Sequence, residues 1–439
     1  MKRPVTADPA ALVIEAAEGR RDGYVARLAG LVRAGAEGEA AVQAAVATWM
    51  RELGCSVESF RYRPEELHTE YELGDRALVA PGERICVMGR RPGAGEGRSL
   101  LCFAHPDSEP VADVERWTRP PFAAVEEGGR LYGWGVADDL LGVATMLAAL
   151  DAVLAAGLDP LGELVLGSTP SKSRAQGVIA ALNRGYLGDG CVYLHPAESG
   201  AGLGEIKAFA SGLLRFRVTV EGRPPLTSEP GHTAFYHLAV DPLEKALLVR
   251  AALVRLAEER AARVRHPALE AAVGRSTNLH FGHIGYGEAG RLSRVPERCV
   301  LGGSITFPPG EAMRAVQAEV EAAIAAAAAA DPWLREHPPA LEWLMGTEGA
   351  EVPQEHPLYQ AVSKAIGAVT GATPHVNPLH SASDIRNPLL HRGIPTVGFG
   401  SLAGDLTHSG GHDEWVDLDD FQRAVQALGL TIVDWCGVR

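Results

Sequence analysis

The chain has no apolar run long enough to cross a bilayer, no C-x-x-C pair and no excess of basic residues. The first absence excludes a helical membrane protein. The second leaves six scattered cysteines (Cys55, Cys86, Cys102, Cys191, Cys299, Cys436), which read as reduced, mostly buried thiols of a cytoplasmic protein. The third gives a net charge of −14, which argues against a nucleic-acid partner and mainly supports solubility. The start, "MKRPVTADPAALVIEAAEGR", lacks the apolar core and small-residue cleavage site of a secretory signal. What remains is ordinary for a soluble globular chain: 439 residues, 46% apolar and 22% charged, too long for one core and so expected to form two domains.

Periodicity supplies the fold class. Residues from about Pro9 to Leu53 read as two amphipathic helices. "GCSVESFRY" and "RICVMGRR" alternate as strands. "SLLCFAH", "GELVLGSTP", "GCVYLHP" and "IPTVGFG" are unbroken apolar runs, the pattern of strands covered on both faces. Helical segments such as "DDLLGVATMLAALDAVLAAG" separate them, so the reading is an α/β domain with a mostly parallel sheet. Near Ser211 the character changes. "LLRFRVTVEG" alternates as a strand with one solvated face, and two β-α-β passes follow. The expectation is a discontinuous α/β domain from residues 1–210 and 337–439, with a smaller α/β sandwich, 211–336, inserted into it.

The buried strands end in polar residues. "LLCFAHPDSEPV" finishes in His105 and Asp107, and "VYLHPAESG" in His195 and Glu198. Asp138 and Asp139 open the helix after "YGWGV". Ligands of open α/β sheets bind beyond the carboxyl ends of the strands. Two histidines and a carboxylate there suit zinc, and Asp107 stands where its carboxylate would orient the His105 ring. "HVNPLHSASDIRN" adds a polar loop with His380, Asp384 and Arg386. Arg386 suits a substrate carboxylate or a salt bridge with Asp384.

These motifs resemble the superfamily of zinc-dependent aminoacylases, acetylornithine and succinyl-diaminopimelate deacylases, and glutamate carboxypeptidases. "FAHPDSEPV" is similar to its first H-x-D motif. "GGRLYGWGVADDLLG" is similar to the segment with the bridging aspartate, here Asp138. "THSGGHDEWV" is similar to the last motif, whose histidine is His408. The resemblance implies a lid in the inserted unit, a homodimer, a small carboxylate-bearing substrate and metal ligands His105, Asp138, His195 and His408. It also implies lid contacts to substrate, for which Arg294 and Asn278 are the candidates, with His232 or His237 in place of the usual lid histidine.

The departures are specific. The family's pair of glutamates after the third strand falls on Lys172 and Ser173 in "GSTPSKSRAQG", and its next acidic ligand falls on His195 unless Glu198 reaches in. One zinc ion is therefore expected, the second position being weak or empty. Asp107, Lys172 and Glu198 are the candidate catalytic groups, with His380, Asp384 and Glu414 as other proton carriers. The leading reading is a metal-dependent hydrolase of an amide bond in a small N-acyl amino acid or dipeptide-like carboxylate. The alternatives are a lyase, isomerase or condensing enzyme using Lys172, and a non-catalytic binder.

Overall fold

The computed structural model describes residues 8–74, 82–111, 113–197, 199–381, 383–404 and 412–439. Its main sheet has six strands in the order Ser56–Tyr62, Arg84–Arg91, Leu164–Ser168, Leu100–Ala104, Gly190–Leu194, Thr396–Phe399. The last four run parallel, and the first two are antiparallel additions at one edge. The unbroken apolar runs explain why this sheet lies inside. In Leu100–Ala104, Leu100, Cys102 and Ala104 face one apolar layer and Leu101 and Phe103 the other. Helices Leu141–Ala155, Pro357–Thr370 and Leu418–Cys436 supply the first layer, and the short helix Gly177–Asn183 the second. Among the described residues, no helix is long and apolar enough to cross a membrane.

The amino-terminal region forms three helices rather than the two expected: Pro9–Glu18, Arg21–Ala34 and Glu39–Glu52. Gly19 ends the first, and a single turn, Gly35–Glu37, followed by Gly38 at φ 95°, separates the other two. An amphipathic stripe read across such breaks looks continuous, because the period survives a one-turn interruption.

The second sheet has five antiparallel strands in the order Asn278–Tyr286, Arg298–Phe307, Gly212–Glu221, Ala340–Thr347, Glu72–Gly74. Gly212–Glu221 alternates buried and more exposed positions, and helices Pro242–Arg263 and Met313–Ala330 cover its apolar side. Two strands lie outside the expected insert. Ala340–Thr347 pairs with the strand at 212–221, so the sheet continues past residue 336. Glu72–Gly74 comes from the first part of the chain and pairs with Met345–Thr347.

Glu72 also ties this sheet to the parallel one. Its carboxylate takes the guanidinium of Arg386 and the amide of Gln176. Burial would raise the Glu72 carboxyl, but Arg386 outweighs it and holds the group below its ordinary value. Arg386 also donates to the Ser383 carbonyl at 2.8 Å and is only 6% exposed. The sequence assigned Arg386 to a substrate carboxylate or to Asp384; its direct contacts are to Glu72 and the Ser383 carbonyl, with Asp384 near enough to favour its charge. Removing one partner of a buried pair strands the other charge. Arg386→Ala should therefore lower unfolding free energy by about 3–5 kcal/mol, and Arg386→Met with Glu72→Leu should recover most of it, as read from urea denaturation.

Candidate metal centre

Strand order brings the candidate ligands together. Leu100–Ala104 and Gly190–Leu194 are parallel neighbours, so His105 and His195 emerge side by side, their ring centroids 5.6 Å apart. Leu164–Ser168 flanks the first strand on its other side and delivers the Ser171–Lys172 turn to the same end. Asp138 comes from the turn Val136–Leu140, where Asp138 and Asp139 have non-helical backbone and are joined by a cis peptide. Gly142 allows the next helix to press against the sheet: a Cβ there would lie 2.0 Å from the Leu194 carbonyl oxygen.

The three side chains converge. Asp138 Oδ1 lies 3.0 Å from His105 Nε2 and 3.1 Å from His195 Nε2. One ligand atom from each residue lies within 4.8 Å of the others, and all three residues are buried. The separations are close to the ~3.3 Å edge of a tetrahedral zinc shell. The donor set therefore fits one divalent ion.

The ring orientations are held from behind. His105 Nδ1 is 2.8 Å from the backbone carbonyl of Asp107 and 3.4 Å from its carboxylate. The sequence pointed to the carboxylate; the shorter contact is to the carbonyl. The Asp107 carboxylate instead accepts from the amides of Ser171 at 2.9 Å and Lys172 at 2.8 Å, and from Arg84 at 2.6 Å. It thereby fixes the turn where the family pattern has its glutamates. His195 Nδ1 lies 2.9 Å from the Pro196 carbonyl and 2.7 Å from Lys207 Nζ. The two contacts call for opposite tautomers. Donation to Pro196 leaves Nε2 free to ligate, whereas acceptance from Lys207 puts the proton on Nε2.

Charge is dense here. Burial would favour a neutral Asp138, but His105 and His195 outweigh it and hold the carboxyl well below its ordinary value. Burial likewise opposes a charged His105, yet Asp107 and Asp138 hold it well above the usual histidine range. Lys172 Nζ is 2.5 Å from Asp138 Oδ2. Desolvation would lower this lysine, but Asp138 outweighs it and holds the ammonium above its ordinary value. Burial pushes Asp139 up to about 6. Burial, with Asp138 nearby, pushes Glu414 up to about 8.

The other sequence candidates are dispersed. Asp384 accepts from Ser171 Oγ at 2.7 Å and so abuts the same turn. The His380 carbonyl accepts from the Ser211 amide at 2.9 Å, where the two sheets' segments meet. Asn278 is exposed at the start of the edge strand of the five-stranded sheet, opposite Thr306. Arg294 is exposed in the loop between two strands of the five-stranded sheet and lines a groove of ≈ 910 Å³ with His283, Tyr286 and Arg291; none of His105, Asp138 and His195 lines it. Glu198 and His408 lie outside the described residues. Sequence reading missed Lys207 and Arg84. Lys207 had a signal, a lone lysine inside the apolar run "IKAFA"; Arg84, at the start of its strand, had none.

The comparisons with known proteins bear on this centre. Residues 101–434 match the peptidase family M20/M25/M40. The chain belongs to that family. With the family comes the reaction class, metal-dependent hydrolysis of amide bonds. N-formyl-4-amino-5-aminomethyl-2-methylpyrimidine deformylase of Halalkalibacterium halodurans is 24% identical over 92% of this chain and 91% of its own length. Succinyl-diaminopimelate desuccinylase of Rhodopseudomonas palustris is 29% identical over 75% of this chain and 80% of its own. Among solved structures, an M20 family metallo-carboxypeptidase from Sulfolobus solfataricus shares the fold with a TM-score of 0.66, at 15% identity, over 94% of this chain and 98% of its own.

Glu414 provides a test of this electrostatic picture. A carboxyl raised by folding opposes the folded state once pH exceeds its unfolded pKa, and the penalty grows until pH passes the folded value. In metal-stripped protein, Glu414→Gln should raise Tm by a few degrees at pH 8.5 and change it little near pH 4.5, as measured by calorimetry.

Proposed function

We propose that this chain is a zinc-dependent deacylase that removes a small acyl group from the nitrogen of a small molecule bearing a carboxylate. The observation that carries the reading is the convergence of buried His105, Asp138 and His195 at the strand ends. Both curated relatives named above are removers of small acyl groups by their names, a formyl group in one and a succinyl group in the other, which favours this class over peptides of any length.

His105 Nε2, His195 Nε2 and Asp138 would hold the ion and leave its fourth position open; His408, assigned by motif, belongs to the second, weak or empty metal position. When bound, zinc supplies Lewis acidity toward the amide carbonyl and toward water. The protein's part is to fix the rings and to move a proton. Asp107 positions both His105 and the Ser171–Lys172 turn. Glu414 is the favoured proton carrier to the leaving amine: it is buried beside Asp138 and Lys172, and its proton is held near neutrality. Glu198 is a second carrier by motif. Asp384 steadies the turn through Ser171, and His380 stands at the lid junction. Arg294 and Asn278 are proposed for the carboxylate end of the substrate.

In this reading residues 211–347, joined by Glu72–Gly74, act as the lid on a body made from the rest. The lid exposes Leu247, Leu248, Ile284 and Leu292, and its edge strand Asn278–Tyr286 has one unpaired side among the described residues. These features support pairing with a second copy, in the cytoplasm where six free thiols stay reduced.

The test is a panel of N-formyl, N-acetyl and N-succinyl amines given to zinc-loaded protein, with amine release followed. At least one substrate should turn over, and His105→Ala or His195→Ala should lose both zinc uptake and at least a hundredfold in kcat/KM. Full activity in either variant, or no hydrolysis of any member by metal-replete protein, would count against the proposal.

A further inference from the structure

We infer that the Lys172 ammonium stands in for a second metal ion, occupying the side of Asp138 that such an ion would need. The inference rests on the reading of His105, Asp138 and His195 as ligands of one ion.

The two oxygens of Asp138 are divided. Oδ1 faces both histidine Nε2 atoms, at 3.0 and 3.1 Å. Oδ2 takes Lys172 Nζ at 2.5 Å. A carboxylate that bridges two cations presents one oxygen to each, and here the second cation is tethered to the chain. Lys172 is not a loose surface lysine that happens to touch an acid. Its amide is bound to Asp107 Oδ2 at 2.8 Å, its carbonyl accepts from Arg84 at 3.4 Å, and its side chain is 21% exposed. Its backbone is thus fixed by the same Asp107 that orients His105. Ser173 follows with a left-handed backbone, φ 52°, and is exposed.

The physical consequence is mutual exclusion. A divalent ion bound to Oδ2 would sit within a few ångströms of the ammonium in a poorly solvated site, where like charges repel strongly. Either the lysine leaves or the ion stays out. The tethered cation has the advantage of an anchored backbone and needs no supply of metal from solution. It still performs one task of an ion, since it neutralises Asp138 and fixes the direction of that carboxylate toward the histidines. It performs no Lewis-acid task, because an ammonium has no vacant orbital for a carbonyl oxygen.

The experiment uses the full chain stripped with a chelator and titrated with Zn²⁺, uptake being read by element analysis after equilibrium dialysis and by calorimetry. The unmodified protein and Lys172→Arg should each take one equivalent. Lys172→Met should bind the first ion at least tenfold more tightly and take up a second, weaker equivalent. Two equivalents in the unmodified protein, or a single equivalent of unchanged affinity in Lys172→Met, would overturn the inference. No uptake by the unmodified protein or by Lys172→Met would overturn the ligand reading and the inference together, and His105→Ala would then leave the titration unchanged. A measurement that needs no variant guards against misfolding. Mn²⁺ added in excess to the unmodified protein should give only an uncoupled electron paramagnetic resonance signal, and a spin-coupled pair would refute the inference.

Discussion

A buried carboxylate is tolerable only among cations and donors, and Asp138 is where this structure meets that constraint. Its two oxygens draw in two imidazoles and an ammonium, each delivered by a different element. The strand order follows the same need: Leu164–Ser168, Leu100–Ala104 and Gly190–Leu194 are consecutive neighbours, so their carboxyl ends present Lys172, His105 and His195 in one row. The glycine at 142 serves it as well, because only a residue without a Cβ lets the helix bring the Asp138 turn so close to Leu194. Fold and site are thus not separable here. A different order of the same strands would give the same core and leave Asp138 uncompensated.

Much of this is legible in the sequence, and the reason is local. Apolar runs ending in polar residues mark strands that open into a site, so the residue pattern brings out His105, His195 and the parallel sheet, while the choice of Asp138 over Asp139 comes from the family resemblance. What the pattern hides depends on contacts between distant segments. Glu72–Gly74 is three residues long, too short for a period, and its role comes from pairing with residues 345–347. Arg386 reads naturally against its neighbour Asp384, whereas its partner lies 314 positions away. The carbonyl of Asp107 takes the place expected for its carboxylate because backbone atoms leave no trace in a residue-type motif. Lys207 is visible as a charge in an apolar run, but nothing local shows that its ammonium meets His195.

The family relationship and the altered turn are consistent once charge is counted by atom. Peptidase family M20/M25/M40 accounts for the arrangement of residues 101–434. The Ser171–Lys172 turn is held in that arrangement by Asp107, Arg84 and Asp384, and it places a lysine where the family resemblance implies a glutamate. A change of that kind keeps the architecture and alters what the pocket holds. Beside this turn Glu414 is a buried acid that desolvation and the neighbouring Asp138 push up to about 8.

The strand Glu72–Gly74 has a further meaning for how this protein could be taken apart. An inserted domain joined by two crossings can be excised or exchanged as a cassette. This sheet takes in a separate short strand as well, so the chain enters it twice, and two of its five strands come from outside the insert that the sequence suggests. Deleting residues 211–336 would leave Ala340–Thr347 clinging to a three-residue strand, with one edge bare and ready to pair with any passing chain. Recombination between relatives would therefore have to move the short strand along with the insert, and a chain that lost it would give up the Glu72–Arg386 clasp in the same step.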